Sequence, residues 1–199
     1  MKKIICSVLC LLMVFTCFAG CGSDTSNEGA GNINSSGGLH HVEMVIKNYG
    51  TVKLELDANE APITVENFLS LANDGFYDGV PFHRLDKDFV LQGGDPDGNG
   101  IGGSDKPIKG EFKANGVENN ISHKAGVISM ARTSDPDSAS SQFFICLEDT
   151  CTFLDGNYAA FGHITEGMDV IYAIRDNTPE SNNIPKAQQP IIETIRVID

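Results

Sequence analysis

The sequence predicts a mainly β domain, a closed antiparallel barrel capped by two α-helices. Many short runs of β-branched and aromatic residues are separated by turn residues, and only two segments place apolar residues at helical spacing. A closed barrel leaves no sheet edge unpaired, and helices can cover its open ends. The chain of 199 residues is long enough for one domain with a sizeable core.

Residues 1–20 have the pattern of a secretion signal. Lys2 and Lys3 form a basic region, residues 4–18 are apolar, and small residues precede Cys21. This pattern resembles a bacterial lipoprotein signal, with Cys21 lipidated after cleavage. An uncleaved membrane anchor is the alternative, but the apolar run of about fifteen residues is shorter than the roughly twenty that a span requires. We therefore expect an extracytoplasmic protein that is lipid-anchored to the bacterial cell membrane.

Residues 21–41 are rich in Gly, Ser and Asn and are predicted to form a flexible tether before a folded domain over residues 42–199. A tether of this length spans about 25 Å as a random coil. Loss of the signal's two lysines would change the formal net charge from −13 to −15. This acidity argues against a nucleic-acid partner, because binding to phosphates relies on cationic side chains.

Two cysteines, Cys146 and Cys151, remain beyond the signal and the lipidation site. Two cysteines are too few for a disulfide framework, and Cys146 lies in an apolar run. Buried free thiols are the expected state, although a bridge between the two stays open outside the cytoplasm.

The secondary structure follows from the periodicity of the apolar residues. Alternation on both sides of Asn48-Tyr49-Gly50 predicts a β-hairpin, and a helix is predicted from Pro62 to a cap at Gly75. Further strands are predicted at 126–131, 141–147, 159–164 and 191–198, and a second helix at 168–175. Loops are predicted at 95–104, 114–120 and 178–189.

The stretch from Pro81 to Asp95 has the composition of an active-site wall. It places Arg84 and Gln92 among apolar residues, where polar groups are costly to bury without a role. Five motifs in order, over residues 42–199, resemble the cyclophilin family of peptidyl-prolyl cis/trans isomerases. They are Phe-His-Arg at 82–84, Phe-Val-Leu-Gln-Gly-Gly-Asp at 89–95, Ser-Met-Ala-Arg at 129–132, Ser-Gln-Phe-Phe-Ile at 141–145 and Leu-Asp-Gly at 154–156.

The resemblance implies a cyclophilin-like barrel of eight strands and isomerase activity on proline-containing polypeptides. It implies a monomer that needs no cofactor and no metal. The catalytic residues implied are Arg84, Phe89 and Gln92. The substrate-binding residues implied are Phe82, His83, Val90, Ala131, Arg132 through its backbone, Gln142, Phe144, Phe153, Leu154 and Tyr158.

Arg84 would act by donating a hydrogen bond to the imide nitrogen of the substrate proline. Such a bond withdraws the nitrogen lone pair from the carbonyl and so favours the twisted state of the bond. A surface ion pair with Asp86 or Asp88 is the alternative role for Arg84. A module that binds proline segments without turning them over is the rival function, but a pure binder has no need of this donor.

Three positions depart from the best-known members of the family. Phe153 and Tyr158 stand where those members carry Trp and His, and Arg132 stands where many carry Asn. Phe153 has no indole N–H to donate. Cyclosporin binding is therefore expected to be weak, whereas the isomerase chemistry should persist.

Other chemistries find little support in the sequence. The loop from Asp95 to Gly103 matches part of the dinucleotide-binding pattern, but no helix follows it. The loop also matches the start of an EF-hand, but Lys106 stands at the position where calcium binding requires Glu. We interpret it as a glycine loop bordering the peptide groove. The histidines form no metal cluster, His83 is expected to support Arg84 structurally, and Ser129 and Ser141 lack the context of a hydrolase nucleophile.

Overall fold

A computed structural model of the protein describes residues 37–199. This part of the chain forms eight strands, two α-helices and three short 3₁₀ segments. The strands and helices are β1 Leu39–Ile46, β2 Gly50–Asp57, α1 Pro62–Asn73, β3 Phe82–Asp86, β4 Val90–Gly93, β5 Val127–Met130, β6 Phe143–Cys146, β7 Ala160–Glu166, α2 Met168–Asn177 and β8 Ile192–Val197. The predicted signal peptide, Cys21 and the tether as far as residue 36 lie outside the described residues.

The eight strands form one antiparallel sheet in the order β3-β4-β6-β5-β7-β2-β1-β8, curled into a half-barrel. The predicted strand count, the antiparallel pairing and the two helices are confirmed. The prediction of a closed barrel is not confirmed, because β3 and β8 remain the two edges of the sheet. The edges approach each other at one end, where the amide of Phe82 donates to the carbonyl of Pro190 at 2.8 Å.

An irregular segment, residues 178–189, occupies the free edge of β3 and explains why the barrel stays open. Leu85 and Ser181 exchange two backbone hydrogen bonds of 2.9 Å, and the amide of Ile184 donates to the carbonyl of His83 at 2.7 Å. These bonds use the edge groups of β3 that a continuous ladder with β8 would require.

The predicted hairpin is confirmed as β1 and β2, paired from Leu39 opposite Asp57 to Ile46 opposite Gly50. The ordered domain starts earlier than predicted, since β1 begins at Leu39 and not at residue 42. His40 and His41 therefore belong to a strand and not to the tether. Their Nδ1 atoms each lie 2.9 Å from a carboxylate oxygen of Asp199, which helps to hold this end of β1 in place.

Both helices bury the faces that the periodicity predicted. In α1, Val65, Phe68, Leu69 and Ala72 are buried, and Pro62 stands in the first turn. In α2 the buried residues are Ile171 and Ile174, whereas Val170 is partly buried, and the helix continues to Asn177. Within residues 37–199, no helix combines the length and the apolar character needed to cross a membrane.

Alternation along the strands separates two apolar clusters on opposite faces of the sheet. In β6, Phe143 and Ile145 join the main core, whereas Phe144 and Cys146 join a smaller cluster on the other face. The members of the smaller cluster are Val90, Phe144, Cys146, Cys151 and Leu154, with Phe89, Ala131 and Tyr158 packed against it. We call this set the outer cluster.

Cys146 and Cys151 are both buried and free, as expected, and burial raises the pKa of both thiols.

Candidate active site

Strand register brings the predicted catalytic residues together on the outer face of the sheet. Arg84 of β3 lies opposite Gln92 of β4, and Gln92 lies opposite Phe144 of β6. The neighbours Leu85 and Leu91 point into the main core because successive side chains of a strand alternate between faces. A cation, an amide and an aromatic ring therefore stand in a row across three adjacent strands.

These residues enclose a pocket of about 160 Å³. We call it the proline pocket. Its lining residues are Arg84, Phe89, Val90, Gln92, Ala131, Arg132, Phe144, Leu154 and Tyr158. Val90, Phe144 and Leu154 are buried members of the outer cluster and form its apolar wall. The pocket thus combines a water-poor wall with one polar edge, which suits a proline ring attached to a polar backbone.

A chain of hydrogen bonds orients the polar edge. Arg84 donates from Nη1 to Gln92 Oε1 at 3.1 Å, and Gln92 donates from Nε2 to Gln142 Oε1 at 2.9 Å. Gln142 in turn donates to the carbonyl of Gly102 at 2.7 Å. Each amide is held in one orientation because its oxygen accepts from one neighbour and its nitrogen donates to the next.

Arg84 has further contacts that fix its guanidinium plane. Its Nε donates to Oδ1 of Asn182 at 3.0 Å, and its Cζ lies 5.7 Å from the ring centroid of Phe89. In the described part of the chain, Arg84 forms no ion pair with Asp86 or Asp88, the alternative role considered from the sequence. Two of its five N–H donors are used, and the others remain for a ligand in the proline pocket.

Arg132 was expected from the sequence to bind substrate through its backbone alone, but its side chain also has defined contacts at the site. Its guanidinium carbon lies 4.6 Å from the ring centroid of Tyr158 and 5.0 Å from that of Phe112. Its Nη2 also donates to the carbonyl of Asn157 at 2.8 Å. Two of the positions that depart from the family, 132 and 158, are therefore in direct contact, as a cation stacked on an aromatic ring.

Phe153 stands at the rim and does not itself line the proline pocket. Its side chain is 66% exposed and stacks on Phe89 with ring centroids 5.4 Å apart. It can therefore contact a ligand that extends beyond the pocket, and it supports the ring of Phe89.

Two residues assigned to substrate binding lie elsewhere. Phe82 is fully buried in the main core, where its ring meets Phe143 edge-on at 6.0 Å. His83 is 1% exposed and lines neither the proline pocket nor the larger pocket beside it, which is described below. Burial lowers the pKa of His83, and its Nδ1 has no hydrogen-bond partner within the described part of the chain. This placement agrees with a structural role behind Arg84.

A second, larger pocket of about 390 Å³ adjoins the first and shares Gln92, Ala131 and Arg132 with it. The predicted glycine loop forms one side of this pocket through residues 100–104. Asp95 holds that loop, because its carboxylate accepts from the amides of Asp97, Asn99 and Gly100. Burial alone would raise the pKa of Asp95, but these amide bonds outweigh it and lower the pKa.

Among residues 37–199, no group of acidic, His or Cys side chains could hold a metal ion.

Asn182 is a site residue that sequence reasoning missed. It belongs to a loop rich in Asn and Pro, and nothing in its local pattern indicates a contact with a residue 98 positions away. The pairing of residues 178–189 with the edge of β3 carries Asn182 to Arg84. Only the tertiary arrangement reveals this partner.

Comparison with known proteins gives a consistent result. Residues 41–197 match the family described as cyclophilin type peptidyl-prolyl cis-trans isomerase/CLD. The chain is 39% identical over 151 residues to peptidyl-prolyl cis-trans isomerase-like 1 of Rhizopus delemar, which covers 75% of this chain and 89% of that relative. It is 40% identical over 156 residues to a peptidyl-prolyl cis-trans isomerase of Acinetobacter baylyi, covering 73% and 79%.

A solved structure agrees with these relatives. It is the crystal structure of a cyclophilin type peptidyl-prolyl cis-trans isomerase from Cryptosporidium parvum in the presence of the dipeptide Ala-Pro. Its TM-score with the present structure is 0.71 at 30% sequence identity, over 80% of this chain and 99% of that chain.

The two buried histidines predict how stability depends on pH. Burial lowers the pKa of His83 and of His123, so each binds its proton at lower pH when folded than when unfolded. The unfolded chain, with histidine pKa values near 6.5, then binds more protons, and the free energy of unfolding falls as the pH drops below about 6.5. Urea denaturation between pH 7.5 and 5 measures this slope. His83→Gln should make the free energy of unfolding depend less steeply on pH. An unchanged slope in that variant would contradict the lowered pKa of His83 as one of its causes.

Proposed function

The chain belongs to the cyclophilin-type peptidyl-prolyl cis-trans isomerase family, and we propose that it accelerates X-Pro bond rotation in exported or surface proteins and assists their folding. The observation that carries the catalytic part is the position of Arg84, a cation with unused donors at the polar edge of a pocket of about 160 Å³ that has an apolar wall. The signal-like pattern of residues 1–20 supports the proposal that the substrates are exported proteins.

The energetics assign different shares to Arg84 and to the pocket. Rotation about an X-Pro bond crosses a barrier near 20 kcal/mol, or roughly 0.01 per second without help. Turnover near a thousand per second would require the barrier to fall by about 7 kcal/mol. One charge-assisted hydrogen bond contributes roughly 1.5–3 kcal/mol, so Arg84 cannot supply the whole reduction.

The remaining reduction comes from the rest of the site. Val90, Phe144 and Leu154 exclude water from the proline ring, which strengthens the electrostatic effect of Arg84. Gln92, oriented between Arg84 and Gln142, is in position to hold the substrate backbone while the carbonyl turns. Binding one side of the rotating bond while the other side moves favours the twisted state over either planar isomer. No cofactor and no covalent intermediate enter this mechanism.

The leader sequence supports a location outside the cytoplasm. We propose that the signal is cleaved before Cys21, that Cys21 carries the lipid, and that the tether holds a monomeric domain close to the bacterial cell membrane. Unfolded exported chains with exposed X-Pro segments would meet the enzyme there. The acidity of the chain fits polypeptide clients better than nucleic acid.

Replacement of Arg84 by Ala should lower kcat/KM by at least about a hundredfold, or some 2.7 kcal/mol of transition-state stabilisation, because the imide nitrogen loses its donor. A protease-coupled assay on a proline tetrapeptide measures this loss. Arg175→Ala is the control, since Arg175 lies on α2 and lines neither pocket. Wild-type turnover in folded Arg84→Ala would refute the catalytic role and favour a binding module.

Replacement of Cys21 by Ala should abolish membrane anchoring, because the lipid on this one residue supplies the anchoring hydrocarbon. Fractionation of cells that express each form, with mass spectrometry of the N-terminus, measures the outcome. A variant that loses its signal peptide and still fractionates with membranes would rule out the lipoprotein proposal.

Cyclosporin should bind weakly, because Phe153 offers an aromatic face without a donor, and an acceptor left unpaired costs roughly 1–3 kcal/mol. Phe153→Trp should tighten cyclosporin binding by about ten- to a hundredfold. Turnover of short proline peptides should change little, since they depend on the proline pocket, which Phe153 does not line. Calorimetric titration of both forms decides the matter, and equal affinities would show that residue 153 does not contact this ligand.

A further inference from the structure

A polar network, buried at His123 and Ser129 and exposed at Asp155, lies directly behind the wall of the proline pocket. His123 Nδ1 is 2.8 Å from Asp155 Oδ1, and His123 Nε2 is 3.0 Å from Ser129 Oγ. His123 is 1% exposed and Ser129 is fully buried. The isomerase chemistry described above does not use His123.

The network has the residue types of a hydrolytic triad but cannot act as one. Ser129 lines neither the proline pocket nor the adjoining pocket, so no substrate carbonyl can reach its oxygen. A nucleophile must lie within contact distance of the atom it attacks. The three residues must therefore act on the site through other residues.

Two residues of the apolar wall of the proline pocket, Phe144 and Leu154, are linked to this network. The His123 ring stacks on Phe144, with centroids 6.1 Å apart and planes inclined by 20°. Ser129 of β5 pairs with Phe144 of β6 in the sheet register. Asp155 follows Leu154, another residue of the apolar wall, directly in the chain. One imidazole ring is thus linked to the elements that carry Phe144 and Leu154.

Hydrogen bonding fixes the imidazole in one plane. The bonds are satisfied when neutral His123 donates from Nδ1 to the Asp155 carboxylate and accepts at Nε2 from the Ser129 hydroxyl. The same carboxylate accepts from the amide of His123 at 2.8 Å and from the hydroxyl of Ser122 at 2.7 Å. A ring bonded at both nitrogens cannot rotate freely, so the face it presents to Phe144 is constant.

We propose that His123, held by Asp155 and Ser129, is a positioning residue that fixes Phe144 and Leu154 at the proline pocket and thereby supports the isomerase reaction without touching the substrate. A wall displaced by a fraction of an ångström would admit water or hold the proline off the axis of rotation. Rate is sensitive to such small displacements of groups that orient the reacting bond.

The test compares variants in two carboxylate networks of similar make-up. Asp155 accepts three hydrogen bonds, from Ser122 and twice from His123. Glu111 also accepts three, one from Ile63 and two from Thr64, at the start of α1, and lines neither pocket. Asp155→Ala and Glu111→Ala therefore remove the same number of bonds, behind the site and away from it. Asp155→Asn keeps the acceptor that faces His123, and His123→Phe keeps a ring against Phe144 but removes both ring hydrogen bonds.

The readouts are kcat/KM on a short proline peptide, the ring proton resonances of Phe144 by NMR, and thermal unfolding of each variant. At temperatures where every variant is folded, Asp155→Ala and His123→Phe should lose about tenfold or more in kcat/KM and shift the Phe144 resonances. Asp155→Asn should stay within about threefold of the wild type. Glu111→Ala should unfold at lower temperature while its folded form keeps wild-type kcat/KM. Should Glu111→Ala not fold, Thr64→Val removes one bond of the same network and serves as the control.

Unchanged kcat/KM and unchanged Phe144 resonances in folded Asp155→Ala would overturn the inference, as would an equal loss in the Glu111 control. Asp155 keeps 37% of its side chain exposed, so its truncation opens no enclosed cavity. Should Asp155→Ala not fold, folded His123→Phe gives the same comparison, and unchanged kcat/KM in it would overturn the inference. The inference rests on isomerase activity and not on the identity of the clients. A wild-type protein without activity would overturn the isomerase assignment together with this inference, whereas an active wild type with unaffected variants would overturn the inference alone.

Discussion

The position of β4 between β3 and β6 is the constraint on which the site depends. It sets Gln92 opposite Arg84 on one side and opposite Phe144 on the other. Because side chains alternate along a strand, a shift of one residue in either pairing would turn Gln92 into the core and Leu91 outward. The burial of Leu91 in the main core opposes that shift, so core packing on one face fixes the chemistry on the other.

The site separates the work of an apolar wall from that of a polar edge. The wall belongs to the outer cluster, which includes two buried free thiols and packs through Phe144 against the His123 ring. The polar edge runs from Asn182 through Arg84 and Gln92 to Gln142 and ends on a backbone carbonyl of the glycine loop. A guanidinium suits this edge because it can donate to the side chains of Asn182 and Gln92 and still have N–H donors left for a ligand.

The open sheet also contributes to the site. A closed ladder between β3 and β8 would leave no room for residues 178–189 on the edge of β3, and Asn182 would then not reach Arg84. Arg132 and Tyr158, two of the positions singled out from the sequence as differing from the best-known family members, are in contact as a cation over an aromatic ring.

Local pattern was enough to identify the hairpin, both helices and the antiparallel strands, because periodicity and residue type are properties of short segments. The site residues Arg84, Gln92 and Phe144 were indicated by the resemblance of their motifs to the cyclophilin family. The sequence did not determine the start of β1 at Leu39, which depends on pairing with Asp57 and on Asp199, or the open edge, which depends on residues 178–189. It assigned Phe82 and His83 to the substrate, although both side chains are buried and neither lines the pocket. Simple alternation would place Phe82 on the face of Arg84, but the strand register shifts between these two residues. It also could not join His123 to Ser129 and Asp155, or Asn182 to Arg84. Contacts between distant segments are decided by which strand faces meet when the sheet curls, and only the tertiary structure decides that.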